Sequence, residues 1–224
     1  VKRKLLLSLL IVVPALLIAS VLAFTVFQPI QVLPRIRLAP GFSLTDQDGQ
    51  RLTNEDLRGS IVLYSFGCAR CGPPGPQSVQ TMREVQDRLD EIDLGEIPFE
   101  MVTISFDPEH DTPGVLWTYA EEAGADLDLW HFVTGDPFRL KLILGSGFEV
   151  YYKPNEDGSF TFDQVFVLVD GWGIIRGEYR YQTVAADNER ILRHIGVLVK
   201  EVQMSQGSAR LAYEAAHFFL CYAP

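Results

Sequence analysis

The sequence predicts an α/β domain whose sheet is covered on both faces. Compact apolar runs at Ile61 to Phe66 and Phe99 to Phe106 read as buried strands, and stretches with helical spacing or helix caps alternate with them. A turn-punctuated β-rich segment then precedes a closing helix, so both faces of the sheet have something to pack against. The chain has 224 residues, 47% apolar and 21% charged, enough for one ordinary core once a tail is set aside.

The tail comes first. Lys2, Arg3 and Lys4 precede Leu5 to Phe27, a run of 23 residues without a charge. At about 1.5 Å per residue the run spans a hydrocarbon layer of about 30 Å, and Pro14 can be accommodated. A cleaved secretory signal has a shorter apolar stretch, about 7–15 residues, and a small-x-small site, of which Ala19 to Ala23 is a poor example. Residues 1–28 are therefore expected to be an uncleaved single-pass membrane anchor. The positive-inside bias then places the rest of the chain on the extracytoplasmic side of the cell membrane, where disulfides persist. Residues 29–38 read as a stalk, 39–204 as the domain, and 205–224 as a C-terminal helical extension.

Within the domain, Phe42 to Thr45 and Gln50 to Leu52 flank Asp46-Gln47-Asp48-Gly49, a hairpin signal. Asn54 is expected to cap a short turn through Leu57. Val79, Met82, Val85 and Leu89 recur at helical spacing from Gln77 onward. Thr112 and Pro113 open a helix that Gly124 stops, and Asp136-Pro137 opens another up to Leu144. Trp130 to Val133, Phe148 to Tyr152, Phe160 to Val169 and Ile174 to Tyr179 read as strands. Two helices close the chain, at Ala186 to Met204 and Ser208 to Cys221. This order, βαβα then an antiparallel hairpin then α, fits a thioredoxin-like fold: a central mixed sheet flanked by helices.

Charge narrows the partners. Three of the 19 basic residues lie in the tail, leaving 16 against 29 acidic ones, a balance of −13 for the remainder. Such a surface repels phosphate backbones, so nucleic acid is not expected as a partner.

The sharpest element runs from Tyr64 to Pro76. A buried strand ends at Phe66, Cys68-Ala69-Arg70-Cys71 follows, and a helix begins shortly after. Unsatisfied N–H groups and the partial positive charge at a helix N-terminus stabilise a thiolate, the nucleophilic and metal-binding form of cysteine. Arg70 adds a cation, although Gly72, Pro73, Pro74 and Gly75 intervene before the expected helix. A redox dithiol, or thiolate ligands for Cu(I), fits Cys68 and Cys71. Structural zinc would need further ligands at zinc spacing, and two inert buried cysteines are the plain alternative.

At these residues the chain resembles the Sco (SenC) family of thioredoxin-fold, membrane-anchored copper chaperones. Phe66-Gly67 and Cys71 fall in register with the family's motif, and Pro76 matches the proline after its second cysteine. Val102 to Pro113 (Val-Thr-Ile-Ser-Phe-Asp-Pro-Glu-His-Asp-Thr-Pro) and Trp130 to Gly135 match two further segments, so the resemblance covers roughly residues 38–200. It implies copper as the ligand, and the copper subunit of cytochrome c oxidase, whose cysteines must be reduced before metallation, as the partner.

The departures from the family pattern bear on that implication. The second cysteine position holds Gly75, while Cys68 stands three residues before Cys71. The ligand histidine would fall at Phe162, or at Gln164 with a small gap, and no histidine lies between His131 and His194. Of the family's Cys, Cys, His trio only Cys71 maps directly, so copper is expected only if Cys68 or other groups substitute. His217 and Cys221, four apart on one helical face, could join Cys68 and Cys71, or they could simply pack. The readings are therefore thiol–disulfide exchange, Cu(I) carriage, or a non-catalytic assembly factor that kept the fold and lost the site. His110, His131 and His194 are read as structural, and Asp107 and Asp111 as caps for the Thr112 helix, with orientation of the thiol loop as their alternative role.

Overall fold

The structure, a computed structural model, describes residues 10–16, 18–19, 31–72, 75–180, 188–205, 213–214 and 216–217. Its described strands are β1 (Arg37–Leu38), β2 (Ser43–Asp46), β3 (Arg51–Thr53), β4 (Ile61–Gly67), β5 (Phe99–Ser105), β6 (Trp130–Thr134), β7 (Tyr152–Pro154), β8 (Phe160–Phe162), β9 (Val165–Val169) and β10 (Ile174–Arg180). The described helices of the domain are α1 (Gly75–Asp87), α2 (Pro113–Ala123), α3 (Pro137–Lys141) and α4 (Asn188–Met204).

Eight strands form one mixed sheet in the order β1-β10-β9-β4-β5-β6-β2-β3. β4, β5 and β6 run parallel, whereas β9 lies antiparallel to β4 and β10 antiparallel to β9. This is the thioredoxin-like arrangement the element order predicts. All seven residues of β4 are buried, because helices cover one face and the α3 region the other, so the strand carries no polar alternation. Ile61 and Leu63 join a cluster with Met82 and Val85 of α1, Leu116 of α2, and Ile195 and Leu198 of α4. Val62, Tyr64 and Phe66 join the opposite cluster with Leu140, Leu144, Phe148 and Phe162.

Four local expectations are revised. Asn54 does not cap the turn that follows it: its side chain accepts from Phe42 N–H at 3.0 Å, and Thr53 Oγ1 accepts from Asp56 N–H at 3.3 Å instead. The helix from Pro137 becomes a π-helix over Leu142–Gly147, where Pro40 packs against Gly147 and the small residues Gly145, Ser146 and Gly147 relax the winding. The run Phe160 to Val169 breaks at Asp163-Gln164, because β8 pairs with β7 in a separate ribbon while β9 enters the main sheet. The strand expected over Phe148 to Tyr152 is displaced to β7, since Phe148 and Val150 donate their N–H groups back to Ile143 and Leu144.

Of the apolar run from Leu5 to Phe27, positions 10–16 and 18–19 are described; they are helical and exposed. Among the described residues no helix is long and apolar enough to cross a membrane, and the rest of the expected anchor lies outside them. Of the C-terminal extension, Tyr213, Glu214, Ala216 and His217 are described as helical, and Cys221 lies outside the described residues.

At the N-terminal end of β4, Arg176 of β10 is buried with 1% exposure. Its guanidinium donates to Asp170 Oδ2 at 3.0 Å, to both oxygens of Glu201 on α4 at 2.7 Å, and to the carbonyls of Leu33 and Pro34 at 2.7 and 3.0 Å. One cation thus fastens the segment preceding β1 to the sheet and the last helix.

His194 of α4 is buried against Tyr179, with the phenol oxygen and Nδ1 2.9 Å apart. Burial pushes the imidazole down to about 4, and Arg190 and Arg193 add to the effect. The unfolded chain holds this proton up to about pH 6.5, so it binds more protons than the fold between the two values and stability falls as pH drops through that window. The loss attributable to His194 is at most about 3 kcal/mol. His194→Gln is expected to flatten the pH dependence of the urea midpoint by close to one proton between pH 6.5 and 4.

Candidate functional site

Strand alternation decides where Cys68 points. Val62, Tyr64 and Phe66 face the second cluster, and Cys68 continues the series two residues beyond Phe66, one past the end of the strand. It is 2% exposed. The chain turns at once, with Cys71 N–H donating to the Cys68 carbonyl at 3.1 Å, and the two sulfurs are bonded across a Cα separation of 5.1 Å. Cys71 is half-buried at the edge of the same cluster. α1 begins at Gly75, so the helix N-terminus stands closer to Cys71 than the Gly/Pro run suggested.

Two carboxylates from the β5–α2 connection hold this loop. Parallel pairing of Gly67 with Ser105 places the ends of β4 and β5 side by side, so the connection after β5 reaches the one after β4. Asp111 is fully buried; its Oδ2 accepts from Ala69 N–H at 3.0 Å and from the Ser105 hydroxyl at 2.6 Å, and its Oδ1 meets His110 Nδ1 at 2.9 Å. Asp107 Oδ2 accepts from Arg70 Nε at 2.6 Å, and Oδ1 from Nη2 at 3.3 Å. Thr112 makes no side-chain cap on α2. The capping role expected for the two aspartates is thus replaced by the alternative: they orient the thiol loop, because strand register puts that loop within reach. The same bond to Asp107 raises the Arg70 pKa and commits the guanidinium to the carboxylate. Tyr119, whose hydroxyl approaches Gly67, has its pKa raised by burial and then by the Asp111 charge, so the phenol stays protonated.

Asp107, His110 and Asp111 bring ligand-type atoms within 4.8 Å of one another. Their oxygens already serve Arg70, Ala69, Ser105 and His110, so the grouping reads as a structural brace for the loop.

The positions that would complete a copper trio lie beside Cys71 and offer only carbon. A Cβ built on Gly75 would stand 3.1 Å from Cys71 Cβ and 3.8 Å from the Phe162 ring. The Phe162 ring thus lies at the site, against the turn from Cys71 to Gly75. It lies 4.9 Å from the ring of Phe106, which also contacts Tyr152 and Phe160 at centroid separations of 5.1 and 5.2 Å. An aromatic wall occupies the place of an imidazole.

The sequence-predicted groups do not all meet. Cys68 and Cys71 come together, but His217 lies at the other end of the sheet, its Nε2 2.9 Å from Glu201 Oε1. Glu201 is bound to Arg176 and through it to Asp170, which follows Val169, the partner of Val62 at the start of β4. Cys68 follows the opposite end of that strand. The four-group cluster of Cys68, Cys71, His217 and Cys221 is thus not assembled among the described residues. Elsewhere His131 lies 3.2 Å from Glu100, in keeping with the structural role read for it. Ser105 has no role in the sequence reading; its one signal is a hydroxyl at the end of a mostly apolar strand, two residues before Asp107.

A family model described as SCO1/SenC matches residues 32–200. The mitochondrial human Protein SCO1 homolog is 30% identical over 131 residues, which is 57% of this chain and 42% of that one. The chain thus spans less than half of the human protein's length. Among solved structures, BsSco, described as a member of the Sco family of cytochrome c oxidase assembly proteins, superimposes with a TM-score of 0.64 at 22% identity. The match covers 75% of this chain and 97% of BsSco. Copper-bound ScoI of Bradyrhizobium japonicum gives 0.55 at 26% identity, covering 70% and 98%.

Proposed function

This chain belongs to the SCO1/SenC family, and on that premise we propose that it serves the assembly of the copper centre of a cytochrome c oxidase by thiol–disulfide exchange at Cys68 and Cys71. The observation that carries this reading is the pair of bonded sulfurs at the end of β4, with Gly75 and Phe162 in the two places a copper trio would need. Cu(I) selects soft thiolate and imidazole donors. Here one sulfur of the trio remains, the neighbouring positions present a hydrogen atom and a phenyl ring, and Cys68 offers its sulfur only when the disulfide is reduced, with no imidazole beside it among the described residues. That set does not fit a resident copper ion, and no step is routed through one. Copper enters as the cargo of the partner, the oxidase's copper subunit, whose cysteines must be reduced before the metal is loaded.

The apolar run from Leu5 to Phe27 would tether the domain in the cell membrane as a single pass, with the domain extracytoplasmic, where the disulfide can persist. The lost ligands also favour the second reading, an assembly factor without chemistry. Equilibration with thiol redox buffers and anaerobic competition for Cu(I) separate the readings. Exchange is expected with a reduction potential between about −120 and −270 mV, the span of known oxidoreductases, together with weak Cu(I) binding. Affinity tighter than about 1 pM that disappears in Cys71→Ser would establish carriage instead. A disulfide that never equilibrates with dithiols, in a protein that binds no metal, would leave the assembly factor.

A further inference from the structure

The two sulfurs of the pair are not equivalent, and resting on the exchange reading above, we propose that Cys71 is the sulfur that bonds to the partner and Cys68 the one that resolves the mixed disulfide. The second cysteine in sequence is thus the attacking one.

Access and direction both point this way. Cys68 is 2% exposed within the cluster that contains Phe66, Phe106 and Phe162, whereas Cys71 is half-buried at its rim. Displacement at a disulfide sulfur is in line: the incoming sulfur arrives opposite the leaving one. A thiolate aimed at Cys71 therefore approaches from the side away from Cys68, the outer side. A thiolate aimed at Cys68 has to come from the side away from Cys71, where the close-packed cluster stands. Among the described residues beyond its chain neighbours, nothing lies within 4 Å of a Cβ built on Gly72, and Gly75 presents no side chain against Cys71. The loop does not swing freely, since Ala69 N–H is fastened to buried Asp111 and Arg70 to Asp107. Exchange rate depends on which sulfur is attacked and on access to it.

With the pair reduced, Cys71 thiolate attacks one sulfur of the partner disulfide, the partner S–S bond breaks, and its electron pair leaves on the partner's other sulfur, which takes the proton the Cys71 thiol gave up. Cys68 thiolate then attacks Cys71 Sγ and expels the first partner sulfur, which takes the proton the Cys68 thiol gave up. The partner gains two electrons as a dithiol, and the protein loses two as Cys68–Cys71 forms. A dithiol reductant restores the protein by attack at Cys71 Sγ, with Cys68 as the leaving sulfur.

The test uses the full chain with Cys221→Ser, so that only this pair reacts. The oxidised protein is treated with glutathione, quenched in acid and mapped by peptide mass spectrometry. Glutathione is expected on Cys71, in at least about tenfold excess over Cys68, as access dictates. Reduced Cys68→Ala and Cys71→Ala forms, treated with glutathione disulfide, are expected to react at rates differing by a similar factor, the form retaining Cys71 being faster. Glutathione found mainly on Cys68, or equal rates in the two variants, overturns the assignment while leaving exchange intact. If the disulfide resists both glutathione and a dithiol, exchange itself falls, and this assignment with it.

Discussion

Arg176→Ala is expected to cost about 4 kcal/mol of folding stability, the cost of breaking a buried ion pair from one side. The change would strand Asp170 and Glu201, 2% and 4% exposed, as two buried carboxylates facing a void. It would also remove the donors that hold the Leu33 and Pro34 carbonyls. Urea unfolding followed by tryptophan fluorescence measures the loss. A triple replacement of Arg176, Asp170 and Glu201 by apolar residues of similar volume is expected to recover much of it, because the desolvation of all three charges is removed together. A loss below about 1 kcal/mol for the single variant, the value of an ordinary exposed pair, would show that the cluster is wetter than the structure has it.

The second large effect is a gain. Gly75→Cys with Phe162→His, in a Cys68→Ala background, is expected to raise Cu(I) affinity by at least about a thousandfold, two donor groups being added at about 1.4 kcal/mol per decade. The geometry supports it, since a Cβ at position 75 lies 3.1 Å from Cys71 Cβ and 3.8 Å from the ring at position 162. The first separation is tight, and the Cys71 side chain must yield by a few tenths of an ångström. Competition against a chromophoric Cu(I) chelator, under reductant so that the new thiol stays free, reads the outcome. Affinity unchanged within tenfold would mean that these two positions do not face a common point.

Both expectations rest on features that differ in how far the sequence foretold them. The strand–CxxC–helix order is local, and Tyr64 to Pro76 suffices to read it. The mixed sheet follows from apolar runs whose lengths and flanking turns are also local. The missing trio could be counted from residue types, but the choice between Phe162 and Gln164 could not, because it depends on where the β7–β8 ribbon ends and β9 begins. The brace under the thiols was half legible. Asp107 and Asp111 were visible as acids before a helix, where capping is the usual local use, yet Ala69 and Asp111 are 42 residues apart and meet only through β4–β5 register. Arg176 left a fainter trace: a cation inside Ile174-Ile175-Arg176-Gly177, matched by Glu201 among the apolar positions of α4. Each is unremarkable alone, and their pairing is a property of the fold.

The guanidinium that grips Leu33 and Pro34 also fixes a direction. That segment, a strap ahead of β1, is clasped at one pole of the sheet and the paired sulfurs ride at the other, separated by the seven residues of β4, about 20 Å of extended chain. Whatever holds the leading segment, the domain presents its thiols like a hand at the end of a stiff forearm. On the proposed exchange reading, a cysteine pair to be served stands off from the strap by that reach, and one lying flush with it would be passed over.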